Sequence, residues 1–193
     1  MIYLVRHGQT AGNRAKVLQG RGSNSALNEE GIRQAQAVRE WVLNQQIHFA
    51  RVYSSPLLRA MQTARIISGG MTAVTDERLL EMDYGPYEGM DLLNLAAEVK
   101  TFFSDFVNNP APDGMEPLSA VTSRMGDFLN EIRPQIGEEN ILISTHAIAM
   151  KGALEYLTPD SRGGYWSRYI GNCAMYAFRL SDGAYTVPEQ VRM

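Results

Sequence analysis

Four side chains in this sequence have the types and placement to do chemistry together. They are Arg6 and His7 in L-V-R-H-G-Q-T, Arg59 in S-S-P-L-L-R, and His146 in I-S-T-H. Arg6 and His7 end the apolar run Ile2–Val5 and are followed at once by Gly8. Two adjacent basic residues at a strand tip are unfavourable unless a negative partner waits there, so the segment points to a bound anion. Arginine gives two parallel hydrogen bonds to phosphate oxygens, and a helix N-terminus presents free backbone N–H groups. Four cationic or donor groups exceed what one carboxylate can use, so phosphate is the better fit. Asn13, just past the Gly8 turn, can add an amide donor.

A histidine in such a place can also react. Neighbouring arginines disfavour its protonation, which keeps a nitrogen lone pair available near neutral pH. That nitrogen can attack phosphorus and form a phosphohistidine, dividing one slow hydrolysis into two easier steps. The arginines and the second histidine would stabilise charge on the equatorial oxygens. The leaving alkoxide would need a proton from a carboxyl group.

The elements that must position these groups follow from periodicity. Strands are expected at Ile2–Val5, Arg51–Tyr53, about Ala73–Thr75 and Ile141–Ser144, with two more between Asn172 and Val187 around Ser181-Asp182-Gly183. Asn28 reads as the N-cap of a helix with Ile32, Ala35, Val38 and Val42 on one face. Ser55 and Pro56 read as an N-cap and N1 proline opening a helix through Ile67, which Ser68-Gly69-Gly70 ends. Leu92, Leu95, Val99, Phe102 and Phe106 form a helical stripe over 92–107, more in keeping with core than with a pocket. Leu118 to Ile132 marks a long amphipathic helix closed by Gly137, and a further helix runs from about Ala147 to Leu157. Alternating strands and helices predict an α/β fold, a mostly parallel sheet covered on both faces. Ligands of such sheets bind beyond the carboxyl ends of the strands. Arg6-His7, Ser54-Ser55-Pro56 with Arg59, and Thr145-His146 each follow a strand, so neighbouring strands would bring them to one spot.

The bulk composition narrows the class. A chain of 193 residues, 45% hydrophobic and 20% charged, suits one domain spanning 1–193. A net charge of −3 gives no basic field for nucleic acid or an anionic membrane. The single cysteine, Cys173, excludes an intrachain disulfide and a cysteine-rich zinc site. The first apolar run is too short for a signal peptide or membrane span, so a cytoplasmic protein is the expectation.

Five blocks, in order, resemble the histidine phosphatase superfamily, also called the phosphoglycerate mutase-like family. L-V-R-H-G-Q-T is similar to its R-H-G-x-T signature, followed by Asn13, and Q-G at 19–20 with L-N-E-E-G-I-R-Q-A at 27–35 to its next block. V-Y-S-S-P-L-L-R-A-M-Q-T-A at 52–64, L-L-E-M-D-Y-G-P-Y-E-G at 79–89 and I-S-T-H at 143–146 match the arginine, acid-loop and second-histidine blocks. The resemblance implies a three-layer α/β/α fold, His7 as nucleophile and Glu81 as general acid and then base. Arg6, Arg59 and His146 would hold the phosphoryl group, assisted by Asn13, Gln19, Gly20 and the backbone of Ala147. It implies no metal and no organic cofactor, and a small phosphorylated substrate. A cap over the site at about 90–116 would exclude water.

Other readings stand beside these. Arg59 alone fits an exposed helix residue, and His146 alone a satisfied core histidine; their positions at strand ends decide. Only the family pattern selects Glu81 over Asp83 and Glu88. Glu116 fits the acidic first turn of a helix, and His48 a surface residue. R-G-G-Y-W-S-R-Y at 162–169 suits a substrate wall or a homodimer contact. C-A-M-Y-A-F-R at 173–179 has the Cys-x5-Arg spacing of cysteine-dependent phosphatases, but its residues alternate like a strand and lack the glycines that loop needs. Ala147, Pro117 and Asn24 replace a common glycine, serine and aspartate, which leaves the catalytic set intact and bears on substrate contacts.

Three activities fit this pattern: a phosphomonoester hydrolase, a phosphoglycerate-type mutase, and a non-catalytic phospholigand binder. Retention of all five principal residues argues against the last. Mutases carry a long basic insertion between the acid loop and the following block. Here about two dozen residues separate Gly89 from Gly114, with Lys100 the only base. Hydrolysis is therefore expected, with the substrate left open.

Overall fold

The computed structural model describes all 193 residues. Its main sheet is built from β1 (Ile2–Arg6), β2 (Phe49–Ser54), β3 (Val74–Thr75), β4 (Asn140–Thr145), β5 (Met175–Phe178) and β8 (Glu189–Gln190). The strand order is β3-β2-β4-β1-β5-β8. The first four strands in that order run parallel, while β5 and β8 are antiparallel to their neighbours. β6 (Leu180–Ser181) and β7 (Ala184–Tyr185) form a separate hairpin.

Side-chain alternation along the central strands separates two cores. Ile2, Leu4, Ile141 and Ile143 face Met125, Phe128, Leu129, Met150 and Leu154. Those residues belong to α5 (Leu118–Ile132) and α6 (Ala147–Leu157). Tyr3, Val5, Val52 and Leu142 face the other way, onto Ala35, Val38, Val42, Ala64 and Ile67. Those lie on α2 (Glu29–Asn44) and α3 (Leu58–Ser68). The result is the expected helix–sheet–helix arrangement. The remaining helices are α1 (Ala11–Arg14), one turn after the His7 loop, and α4 (Ala97–Ser104), within 90–116.

Several expected details differ. The buried stripe of α2 is Gly31, Ala35, Val38 and Val42, so Ile32 falls beside it and is 39% exposed. α3 begins at Leu58, not after Ser55; Asn24 caps it from a distance, accepting the Leu58 N–H at 2.8 Å. The stripe over 92–107 is helical only from Ala97. Before that, the chain pairs with residues 16–18: Leu92 N–H donates to Lys16 O at 2.8 Å, and Leu18 N–H to Met90 O at 2.8 Å. The end of the chain makes four short strands, and the Ser181–Gly183 turn closes the separate hairpin.

The loop after β1 is pressed against the start of α2. A Cβ on Gly8 would sit 2.5 Å from Gly31 O, and one on Gly31 would fall inside the Gln9 backbone. Gly31→Ala should therefore destabilise the fold by about 2 kcal/mol through overpacking. In an exposed helix the same change stabilises by roughly 1 kcal/mol. Urea unfolding decides it, and a raised midpoint would show that the loop does not need this approach.

Candidate active site

β2, β4 and β1 are neighbours, and their carboxyl ends place Arg59, His146 and His7 together. The rings of His7 and His146 lie 5.1 Å apart between centroids. Arg59 Nε–H donates to His146 Nδ1 at 3.2 Å. Because Nδ1 accepts, the neutral ring carries its proton on Nε2, which donates to Ser55 Oγ at 2.7 Å. His7 Nδ1 faces the Gly8 carbonyl at 2.7 Å; a carbonyl only accepts, so Nδ1 holds the proton and Nε2 keeps its lone pair. That is the state a nucleophile needs.

Burial first, and then the Arg6 and Arg59 charges, hold His7 well below the usual imidazole value. For His146 the causes are burial, then Arg59, His7 and Arg6. Two neutral rings at neutral pH follow.

Arg59 is completely buried on the second turn-position of α3. Its Nη2 donates to Gly20 O at 2.9 Å, and its Nη1 to Ser23 O. Glu88 holds the same loop from the other side, accepting from Gly20 N–H at 2.7 Å and Ser23 Oγ–H at 2.6 Å. Around His7, a chain of bonds orients two amides. Asn13 Oδ1 accepts from Thr10 N–H at 3.1 Å and from Asn172 Nδ2 at 3.3 Å, which leaves its Nδ2 free to donate. Gln19 Oε1 accepts from Thr10 Oγ1–H at 2.9 Å, which directs its Nε2 away. Gln19 Nε2 is buried without an acceptor, and so is Arg6 Nε. Buried donors left unmatched cost about 1–3 kcal/mol each. Each retains the capacity to bond an acceptor.

Glu81 is buried at the start of α6. Its Oε1 accepts from Met82, Ile148 and Ala149 N–H at 2.9, 3.1 and 3.0 Å. It thus caps the helix and leaves the Ala147 N–H beside the histidines. Its loop is braced by Arg124, whose Nη1 donates to Arg78 O and Leu80 O at 2.6 Å, and whose Nε pairs with Glu116 at 2.7 Å. Glu116 also accepts the Asp83 N–H at 3.1 Å. It is a brace for the acid loop, not the first turn of α5.

These bonds join residues that are distant in the sequence around the two histidines. The model of the histidine phosphatase superfamily (branch 1) matches residues 2–191. The chain belongs to that superfamily. Fructose-2,6-bisphosphatase TIGAR of Xenopus tropicalis is 37% identical over 145 residues, covering 72% of this chain and 52% of that protein. The chain thus spans about half the length of that relative. Probable phosphoglycerate mutase GpmB of Yersinia pestis is 38% identical over 156 residues, covering 77% of this chain and 70% of that one. In structure, phosphoserine phosphatase of Entamoeba histolytica, in complex with 3-phosphoglyceric acid, superposes with a TM-score of 0.84. The identity there is 25%, with 100% of this chain and 96% of that one covered.

Within this superfamily member, sequence reasoning gave Ser55 only as a strand-end helix cap, without its bond to His146, and missed Thr63 and Asn172. Thr63 Oγ1 accepts the Gly8 N–H at 3.0 Å, and Asn172 Nδ2 donates to His7 O at 3.0 Å. Thr63 lies one turn beyond Arg59 on the same helix face, which was the available signal; Asn172 had none. His48 is exposed, as expected. No helix is long and apolar enough to cross a membrane.

The histidine states make a prediction. Above pH 6.5 both rings are neutral in the folded and the unfolded chain. Below it the unfolded chain binds protons first, so stability falls as the pH drops from about 6.5 towards the depressed folded values. Ring-proton NMR of His7 and His146 should show neutral shifts at pH 6.5, with a thermal midpoint that declines below it. Protonation of either ring at or above pH 6.5 in the folded protein would contradict this.

Proposed function

We propose that the protein is a metal-independent phosphomonoester hydrolase that works through a phosphohistidine at His7. The observation that carries this reading is a histidine with an unprotonated Nε2, its ring 5.1 Å from that of His146, next in the chain to Arg6, whose buried Nε has no protein acceptor. Arg6, Asn13, Gln19, Arg59 and the Ala147 backbone bind the phosphoryl oxygens; the Gly20 N–H, expected among them, is instead taken by Glu88 at 2.7 Å. His146 is held by Arg59 and Ser55 and supports the transferred group. His7 Nε2 attacks phosphorus, the P–O bond to the alkoxide breaks, and Glu81 supplies the proton the alkoxide takes. Water then attacks the phosphohistidine, gives its proton to Glu81, and the P–N bond breaks.

In the resting structure Glu81 accepts helix N–H groups, an arrangement for a carboxylate. Its acid role requires the carboxyl to turn from α6 towards the leaving oxygen. The whole chain acts as one domain, with 90–116 as its cap, and the small phosphorylated substrate enters between the cap and the strand ends. The packing of Val99, Phe102 and Met115 against Tyr84 and Ile148 supports that arrangement. The resemblance to GpmB favours a second reading, phosphoryl return to the substrate as in a mutase. The lack of a basic insertion between Gly89 and Gly114 favours water as the acceptor.

Wild-type protein should release phosphate from p-nitrophenyl phosphate in EDTA, and His7→Ala should lose that activity by a factor of at least 1000, consistent with loss of a nucleophile. Turnover retained by His7→Ala, or lost in EDTA, would overturn the mechanism. Isomerisation of 3-phosphoglycerate without phosphate release would establish the mutase reading instead. Glu81→Gln should slow alkyl phosphates by ~100-fold more than aryl phosphates, because nitrophenolate leaves without a proton. Equal losses on the two substrates would remove Glu81 from the acid role.

A further inference from the structure

Lys151 belongs to none of the roles assigned above. It lies on α6 and is 8% exposed, yet its ammonium pairs with no carboxylate. Its partners are the Trp166 carbonyl, at 2.7 Å, and the face of Phe106, at 5.2 Å. Burying a cation without a counter-ion is expensive, and one carbonyl with one ring offsets only part of that. Burial draws the ammonium down to about 8, opposed by Glu81 and reinforced by Arg6, so both site residues lie within electrostatic reach.

Direction matters as much as burial. Side chains on a helix lean towards its N-terminus, and the N-terminus of α6 is where Glu81, Ala147 and His146 meet. Lys151 also stands one turn beyond Ile148, which packs with Trp166 and Phe102 under the cap. The Nζ group is therefore at the boundary between the phosphoryl site and the aromatic cap.

We propose that Lys151 is a specificity residue that receives a carboxylate of the substrate, so that the preferred substrates are phosphomonoesters carrying a carboxylate close to the phosphoryl group. This rests on the phosphoryl site proposed above. One ammonium has three donors, and Trp166 O takes one of them. Two donors and one positive charge match a carboxylate. A second phosphate would bring about two negative charges within reach of Glu81, where the Lys151 ammonium supplies only one positive charge. The Trp166 carbonyl keeps Lys151 in place before the substrate arrives.

Binding can be measured without turnover. Calorimetry on His7→Ala should show 3-phosphoglycerate binding at least tenfold tighter than glycerol 3-phosphate, which has the same length and no carboxylate. Adding Lys151→Met should bring that ratio to within about twofold of one, and Lys151→Arg should keep most of it. A ratio near one in His7→Ala alone overturns the proposal and needs no second variant to fold. So does a ratio that Lys151→Met leaves unchanged while both ligands weaken together, the result of a purely structural tether. Tighter binding of fructose 2,6-bisphosphate than of 3-phosphoglycerate, removed by Lys151→Met, would also overturn it in favour of a second phosphate. Failure of the hydrolase reading shows separately, as the absence of phosphate release by wild type.

Discussion

A guanidinium that is fully buried needs a partner at each nitrogen, and Arg59 meets that demand by drawing His146 and the loop of Gly20 and Ser23 towards it. Its Nε fixes the tautomer of His146, and its terminal nitrogens hold the carbonyls of Gly20 and Ser23. The loop they belong to is thereby fixed between Arg59 and Glu88, and Asn24 in the same loop caps the helix that carries Arg59. The constraint is circular, since helix, loop and histidine each hold the next. Charge explains why it persists. Moving the Arg59 head group would leave a buried cation and two buried carbonyls unmatched, at several kcal/mol.

Much of this was legible because the residues concerned end regular elements. α6 has the bounds expected for it, and the central strands differ from expectation by a residue or two, because buried runs of Ile, Leu and Val leave little freedom. Asn28 caps α2 as its type and place imply. The readings that failed involve competition for backbone hydrogen bonds. Ser55 Oγ meets His146, and the only backbone N–H it accepts is that of Leu57, ahead of α3, whose first N–H is capped by Asn24, thirty-four residues before Leu58. Leu92 and Leu95 have helical spacing, yet the backbone near Leu92 is taken by residues 16–18. Such partners are distant in sequence and leave no periodic trace.

The site residues divide in the same way. Those that end a strand or open a helix within a motif could be named from residue type and position. Thr63 and Asn172 bond to neighbours that only the fold supplies. Glu81 shows the limit most clearly. Motif resemblance selected it, and the structure places it on the N-terminus of α6. What its carboxyl does when substrate is present depends on a movement that residue type does not encode.

The strand order also bears on how the molecule is made. β1 lies between β4 and β5, so its neighbours in the sheet are residues 140–145 and 175–178, synthesised long after it. Until those segments exist, residues 2–6 have no sheet partner and the apolar faces of Ile2 and Leu4 have no cover. Pairings of such long sequence separation form slowly and leave hydrophobic surface open meanwhile. On the ribosome, the His7 end of the sheet would therefore be assembled only after residues 175–178 have emerged. A truncated translation product would carry the R-H-G motif with no catalytic centre around it, and would present itself to chaperones and proteases as an unprotected strand.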